Sequence, residues 1–473
     1  MLFVFRRAEA KAEAKAKAGA GARGAVEKIR PSATVILVRR QPTLEVYMVE
    51  RSLRTRFFPG YHAFPGGTLD PADGTDDQAR RRAAVREVEE EVAVRLDPAA
   101  LIEAGRLLTP PFGPLRYDTS FFLAELPAGQ EPKVDGEELV SGAWWRPADA
   151  LAQWEEAAMP IPPPTLAYLH LLTSHADPTA AAAAARATDG RPHHERFRIE
   201  LHPGVFALPL RTRTLPPATT TNCYLFDGDP IVVVDPGTDD AHENVALFHT
   251  LDAMTREGRD GVVVLTHHHH DHVEGAAAVR ERYGFRVLAH PETRARLPEG
   301  LVDDTLEEGE RLDLGVWGPR PWRLEALHTP GHAPGHLALR DARWGAIVAG
   351  DLVSGVSTIL VDPEEGDMAR YMASLARCAA LSPALVLPAH GPVMPGGAFA
   401  ATLAHREVRE QKALAALGPT PRTAEEMVPQ VYDDTPREAW PLAERNLESA
   451  LRKLAAEGNA IRVGDAWAKA GQP

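Results

Sequence analysis

The chain has very little cysteine, two residues in 473. Neither a disulfide scaffold nor a cysteine-rich zinc module can be built from so few. It also has no long apolar run. No segment approaches the ~18 consecutive apolar residues of a membrane-spanning helix. The opening Leu2-Phe3-Val4-Phe5, followed by Arg6-Arg7, is shorter than the roughly 7–15 residues of a signal-peptide core. Glu9 and Glu13 interrupt the positive charge that an organelle-targeting segment would carry, so a cytoplasmic location is expected. Basic charge is in deficit as well: 52 Lys and Arg stand against 66 Asp and Glu, a formal net charge of −14. That argues against a protein that coats nucleic acid by neutralising phosphates, although a local basic groove stays open. With 44% apolar and 25% charged residues the composition is ordinary for globular proteins. The length suits two to four domains with separate cores. Histidine is the surplus, with nineteen residues.

Composition divides the chain. Residues 1–30 begin with low-complexity Ala, Lys, Glu and Gly, expected to form a frayed helix or disordered tail. Residues 31–175 read as a first unit, with strands at 33–39, 44–50, 120–126 and 142–145, a helix over 75–94 capped by Thr75 or Asp76, and a short helix at 165–174. Residues 176–197, with six consecutive alanines, are expected to form a linker, a helical turn being allowed in the Ala run. Residues 198–398 alternate short β-rich runs with helical patterns, an α/β layered unit. Residues 399–473 predict helices near 399–416, 423–431 and 439–457, then a hairpin of 460–463 with 466–469, which together suggest a small winged helix. Cys223 and Cys378 sit in apolar surroundings and are expected to be buried and inert.

The most informative stretch is Val262-Val263-Val264-Leu265, a buried-strand run, followed by Thr266-His267-His268-His269-His270-Asp271-His272. His267, His269, Asp271 and His272 fit H-x-H-x-D-H, which leaves His268 and His270 in variable positions. Two histidines two residues apart can face one ion, and Asp271 and His272 can turn toward a second. Other strand-like runs lead into His332, Asp351 and His390. A lone histidine at a strand end is usually a hydrogen-bonded polar residue. Four strand ends carrying His or Asp point instead to one site, because in α/β folds such ends converge.

This set resembles the metallo-β-lactamase fold superfamily, in its hydrolase branch, over about residues 198–398. The resemblance implies an αββα fold in which His267, His269 and His332 hold one metal, Asp271, His272 and His390 hold the other, and Asp351 bridges them. Asp235, in Val234-Asp235-Pro236-Gly237, matches the supporting aspartate of the family. The donor types suit two Zn²⁺, with Mn²⁺ or Fe also accommodated. Two such metals ~3.5–4 Å apart lower the pKa of a shared water to about 7, giving a hydroxide for attack on a carbonyl or phosphoryl centre. Asp271 is also placed to accept a proton.

A second signal lies upstream. Phe64-Pro65-Gly66-Gly67-Thr68-Leu69-Asp70 precedes Arg86-Glu87-Val88-Glu89-Glu90-Glu91-Val92-Ala93. On a helix Glu87, Glu90 and Glu91 share one face, and Arg86 reaches Glu90 at i+4. Clustered carboxylates are eased by a cation, and oxygen ligands with substrate phosphates suit Mg²⁺ or Mn²⁺. Together the two segments resemble the Nudix box, over about residues 31–175, and imply an α/β/α sandwich. The sequence departs from the box in three places: Asp73 takes the first acidic position, the gap to Arg86 is five residues longer than usual, and Ala93 replaces the usual glycine. The spacing Arg51-Ser52, Arg56, Gly60, then Phe64-Pro65-Gly66-Gly67 resembles the coenzyme A diphosphatases of that family. It implies Arg51, Arg56, Gly66 and Gly67 as substrate contacts and Arg86, Glu87, Glu90 and Glu91 as the catalytic set. The alternative is a Nudix unit that only binds or regulates.

The C-terminal residues His405-Arg406-Glu407 and Arg409-Glu410, with the helices and hairpin, resemble the winged-helix tail of the β-lactamase-like protein 2 family, associated with cleavage of single-stranded RNA. The third helix carries Arg445, Arg452 and Lys453 among Glu444, Glu448 and Glu457, so it has no basic face. A packing element that shapes the active-site mouth is the preferred reading. The chain is therefore expected to be a bifunctional metal-dependent hydrolase. A small-molecule diphosphate would be the first substrate and an RNA phosphodiester the second. A thioester such as acyl-CoA ranks next for the second site, and no membrane partner is expected.

Overall fold

The computed structural model describes residues 28–471, apart from 41, 53, 54, 56, 57, 59, 110–114, 135–137, 157, 188–198, 257, 318 and 319. The tail expected over residues 1–30 falls almost wholly outside the described residues, as does Arg56.

The first unit is a seven-stranded sheet between helices. Its strands are β1 (Lys28–Arg39), β2 (Glu45–Arg51), β3 (His62–Ala63), β4 (Gly66–Thr68), β5 (Ile102–Leu108), β6 (Leu115–Glu125) and β7 (Leu139–Trp145). β1 pairs in parallel with β6 along its whole length. Its side chains alternate by the period of two that a pleated strand imposes. Ala33, Val35 and Leu37 pack with Ala83, Ala84 and Val88 of α1 (Ala79–Val92). Ile36 and Val38 pack on the other face with α2 (Pro147–Glu155) and α3 (Pro163–Ser174).

Two expectations need correction here. The acidic helix starts at Ala79 rather than near 75. Asp70 caps a separate 3₁₀ turn at Pro71–Asp73, and the Asp76 carboxylate takes the Gln78 N–H. The extra residues of the box are thus absorbed before the helix. The expected linker at 176–197 is in its first half a helix, α4 (Pro178–Ala187), with Ala181, Ala182 and Ala185 buried in the core of the first unit. Alanine is the best helix former, and packing on β5 and β6 supplies what propensity alone does not.

The second unit has two facing sheets. One runs β14-β13-β12-β11-β10-β9-β8, from β8 (Ile199–His202), β9 (Val205–Arg211), β10 (Thr220–Phe226) and β11 (Ile231–Val234) to β12 (Gly261–Leu265), β13 (Arg286–Ala289) and β14 (Asp304–Thr305). The other runs in sequence order through β15 (Arg311–Trp317), β16 (Arg320–His328), β17 (Leu337–Asp341), β18 (Ala346–Gly350), β19 (Leu385–Pro388) and β20 (Met394–Pro395). Val232, Val234 and Val264 of the first sheet meet Trp322, Leu324 and Leu339 of the second in one core. Helices α5 (Asn244–Met254) and α7 (Ala276–Tyr283) cover one outer face; α9 (Met368–Ala380) covers the other. The short helices α6 (His270–Val273) and α8 (Pro291–Arg294) complete this four-layer αββα unit.

The third unit holds α10 (Ala398–Ala416), α11 (Ala424–Val431), α12 (Trp440–Ala456) and the hairpin β21 (Ala460–Val463) and β22 (Ala466–Lys469). Met427, Val431, Leu447, Leu451 and Trp467 form its core. It is mounted on the second unit, because α9 packs against both α10 and α12. Cys223 and Cys378 are buried, free thiols, and burial pushes Cys378 up to about 12.

Tyr61, from the loop before β3 of the first unit, is 1% exposed and packs in the inter-sheet core of the second. Among the described residues its hydroxyl has no hydrogen-bond partner. Tyr61→Ala should therefore destabilise the second unit, although the substitution lies in the first. The expected cost is about 3–5 kcal/mol, as for other buried aromatics. Tyr61→Phe, which removes an unsatisfied buried hydroxyl, should be neutral or stabilising. Denaturant unfolding followed by tryptophan emission checks both.

Candidate metal centre and carboxylate helix

One end of the second unit's strands delivers the ligand-type side chains to one spot. β12 runs into Thr266 and His267, and α6 carries Asp271 and His272. Asp351 follows β18, His390 lies just beyond β19, and the loop after β16 supplies His332. Asp235, at the end of β11, takes φ +50, a left-handed conformation uncommon outside glycine. Its carboxylate accepts from Thr266 N at 2.8 Å, Thr266 Oγ1 at 2.6 Å and His272 Nδ1 at 2.8 Å. Gly237 is required by space, since a Cβ there would lie 1.9 Å from the Asp271 carbonyl oxygen.

The outer nitrogen of each ligand histidine is tied down as a donor. His267 Nδ1 donates to Thr266 Oγ1 (3.0 Å), His332 Nδ1 to the Leu360 carbonyl (2.7 Å) and His390 Nδ1 to the Thr220 carbonyl (2.9 Å). His269 Nε2 donates to Glu365 Oε1 at 2.5 Å. The inner nitrogens are thereby turned to one another, and they converge. His269 Nδ1 lies 3.0 Å from both His267 Nε2 and His332 Nε2. Asp351 lies 3.4 Å from His332 Nε2, 3.7 Å from His272 Nε2 and 3.3 Å from His390 Nε2, and so stands between the two groups. Asp271 is 3.6 Å from His390 Nε2. His267, His269, His332 and Asp351 form one possible ligand group, and Asp271, His272 and His390 a second.

The electrostatics call for cations. Burial holds His332 down to about 4, its neighbour His269 adding to the effect. Burial opposes a proton on His272 as well, but Asp271, Asp235 and Asp351 overcome it and raise that imidazole to about 10. Among the described residues His272 Nε2 and Asp351 Oδ1 are buried without hydrogen-bond partners. Orphaned polar atoms aimed at one point, on side chains held from behind, are what divalent-metal ligands need. The residues present fit two such ions.

Several supporting groups were not evident in the sequence. Glu365 comes from the loop before α9 and also takes His268 Nε2 at 3.1 Å. The Leu360 and Thr220 contacts are backbone carbonyls. His336 is buried, bonded to Thr329 Oγ1 and to the Asp351 amide. Its place four residues after His332 was the only available signal. His270 turns away to the Arg213 carbonyl, and His328 stacks on His290.

In the first unit the Gly66 N–H donates to Glu91 Oε2 at 2.7 Å. A Cβ on Gly67 would lie 2.5 Å from the Glu87 carboxylate, so the glycine loop and the helix lie in direct contact. Arg86 pairs with Asp73 at 2.9 Å, Glu87 at 3.0 Å and Glu90 at 2.8 Å. Glu90 is largely exposed, while burial raises Glu87 and takes Glu91 up to about 7, against the pull of the Gly66 amide and Arg51. Arg51 ends β2 on this side; Arg56 lies outside the described residues.

Residues 216–390 match the model of the metallo-beta-lactamase superfamily, residues 423–467 that of the beta-lactamase associated winged helix domain, and residues 28–166 that of the NUDIX domain. The "Beta-lactamase-like protein 2 homolog" of Drosophila melanogaster is 29% identical, over 51% of this chain and 84% of its own length. The "Lactamase-like protein vrtG" of Penicillium aethiopicum is 30% identical, over 46% of this chain and 70% of its own. The chain belongs to the metallo-β-lactamase superfamily. It carries a Nudix domain ahead of that unit and a winged helix behind it. Both hydrolase families make it an enzyme. A "Hydroxyacylglutathione hydrolase" of Acidiphilium cryptum is 34% identical, over 34% of this chain and 66% of its own length.

Among the described residues no helix is long and apolar enough to cross a membrane. A cavity of about 420 Å³ opens from the metallo-β-lactamase ligands. Leu215, Pro216 and Ala218 line one side and Leu360, Leu442 and Ala443 another, the last two from the winged helix.

Asp351→Ala should remove the bridge and drop bound transition metal clearly below two ions per chain, read by elemental analysis of full-length protein; full retention would refute the bridging role. If Glu91 of the Nudix domain is a Mg²⁺ ligand, the ion must displace the proton that burial favours there below about pH 7. The apparent Mg²⁺ dissociation constant should then rise by roughly tenfold per pH unit below that point. Calorimetric titrations at pH 6 and 8 test this, and Glu91→Gln should flatten the dependence.

Proposed function

We propose that the metallo-β-lactamase unit is a thioesterase for small acyl thioesters, and that the Nudix unit splits the diphosphate of a coenzyme A-like molecule. The observation that carries the first half is the cavity. Much of its wall is apolar, from Leu215, Pro216, Ala218, Leu360, Leu442 and Ala443, with Arg213, His405, Arg406 and Arg409 also lining it, and the winged helix contributes part of that wall. Such a chamber suits an acyl group better than a polyanionic strand. Similarity to a hydroxyacylglutathione hydrolase supports the same chemistry.

This order reverses the one that sequence favours, and the reason is α12. Arg445 is engaged with Asp362, Arg452 with the Pro363 carbonyl and Glu448, and Lys453 with Glu410 and Glu457. The cations that would face phosphates in a nucleic-acid reader are occupied within the chain.

Bound divalent metals, Zn²⁺ by donor type, would supply Lewis acidity and lower the pKa of water. His267, His269 and His332 would hold one ion and Asp271, His272 and His390 the other, with Asp351 shared. Asp271, at the cavity floor, is placed to take a proton, and the apolar walls exclude bulk water from the acyl group. In the Nudix unit, Glu87, Glu90 and Glu91 would hold Mg²⁺. Arg86 orients Glu90, and Arg51 and Arg56 would meet phosphate with Gly66 and Gly67 beside it. A thioesterase that releases coenzyme A next to a site that consumes it gains from tethering.

The test uses full-length Glu90→Gln protein, whose diphosphate cleavage should fall by orders of magnitude. Supplied with acyl-CoA, it should accumulate free thiol, and adding His267→Ala should abolish that release. No thiol release, with cleavage of single-stranded RNA that disappears in His267→Ala, would establish the ribonuclease reading instead. Wild-type protein inactive on every diphosphate would make the Nudix unit a binding module.

A further inference from the structure

The winged helix does more than wall the cavity. One stripe of α12, from Arg445 and Asn446 through Ser449 to Arg452, lies on residues 359–365, the segment that backs the metallo-β-lactamase ligands. Asn446 Oδ1 accepts the Val361 N–H at 2.9 Å, and Ser449 Oγ donates to the Val361 carbonyl at 2.6 Å. Arg406 of α10 donates to Asn446 Oδ1 at 3.1 Å and to the Ile359 carbonyl. Its guanidinium lies over the Tyr371 ring of α9, 5.1 Å from the centroid. Arg406, Asn446 and Ser449 are all buried, so these bonds form away from water, where leaving one unmade is costly. Arg445 holds Asp362 at 2.6 Å, and Arg452 holds the Pro363 carbonyl.

The clamped segment carries the outer contacts of two ligands. Leu360, between the two clamped residues Ile359 and Val361, offers the carbonyl that fixes His332 Nδ1. Glu365, just past Pro363, holds His269 Nε2. The other ligands are held without it. His267 rests on Thr266, His272 on Asp235 and His390 on the Thr220 carbonyl.

We infer that Asn446, Ser449 and Arg406 are positioning residues, through which the winged helix sets the geometry of the His267–His269–His332 metal site and leaves the Asp271–His272–His390 site untouched. The device is a hydrogen-bonded chain from α12, through the backbone at 359–361, to the Nδ1 of His332. It gives Arg406 of α10 a role in holding the segment at 359–361.

The test measures metal retention by full-length protein, not activity. Zn²⁺-loaded protein is titrated against a chromogenic chelator, and the Co²⁺-loaded form is followed by its visible absorption. Asn446→Leu keeps the size but removes the acceptor for the Val361 N–H. It should weaken one of the two ions by about 10–100-fold, the usual effect of losing an outer-shell partner, and leave the other within about twofold. Asn446→Asp retains the acceptor and gains attraction to Arg406; it should hold both ions within about twofold of wild type, with an unchanged Co²⁺ spectrum. If Asn446→Leu does not fold, Ser449→Ala, which deletes only the bond to the Val361 carbonyl, is measured in its place, with the same single-ion loss expected. Parallel loss of both ions, wild-type retention in the substituted protein, or an Asn446→Asp variant that loses metal as Asn446→Leu does would each overturn the assignment.

Discussion

Three imidazole nitrogens converge on one point. His269 Nδ1 sits 3.0 Å from His267 Nε2 and from His332 Nε2, and each ring is prevented from turning by a bond on its far side. Ligand nitrogens brought this close must be held in place from behind, as metal ligands are by their outer hydrogen bonds. The strand core supplies the force, since β11, β12, β18 and β19 are nearly continuous buried runs. Asp235 at φ +50 and the bare Gly237 show the same trade. Local backbone comfort is given up at the strand ends so that ligands face one another.

That constraint explains what sequence could reveal. A metal demands particular side chains at particular strand ends, so His267, His269, Asp271, His272, His332, Asp351 and His390 were all legible, and the structure brings them together. The groups behind them were not. A backbone carbonyl such as Leu360 or Thr220 has no residue-type signature, and Glu365 reaches His269 across 96 positions of chain. In the fold, the C-terminal helices were legible because their ends are marked, by the Thr423–Glu426 capping box and by Gly458. β5 was missed because its register shifts between Glu103 and Arg106, around Gly105. The Ala run resisted assignment because composition alone does not distinguish a spacer from the packed helix α4.

The Nudix unit shows a milder form of the same tension. Glu87, Glu90 and Glu91 share a helix, yet their surroundings separate them. Arg86 draws Glu90 outward while burial and the Gly66 amide fix Glu91. The longer loop of the box changes none of this, because Asp73 still reaches Arg86. The insertion lies where the chain carries no part of the carboxylate face. Ala93, in the position where glycine is usual, adopts the left-handed conformation at φ +56 that a helix terminus asks for.

The three units are bound more tightly than a chain of independent modules would be. Tyr61 of the Nudix unit fills space in the inter-sheet core, and α12 holds the segment behind two metal ligands. The two candidate ligand groups consequently differ in their dependence on the rest of the protein. His272 leans on Asp235, from the end of β11 beside its own strand, and His390, just beyond β19 of the second sheet, leans on Thr220 of the first. His332 and His269 lean on a loop whose place is set by α12, more than 80 residues downstream, together with Arg406 of α10. Mixed charge on α12 follows from this arrangement. Its arginines are matched to Asp362, Glu364 and Glu448, and a helix whose charges are balanced against its own chain has little field left to attract a polyanion.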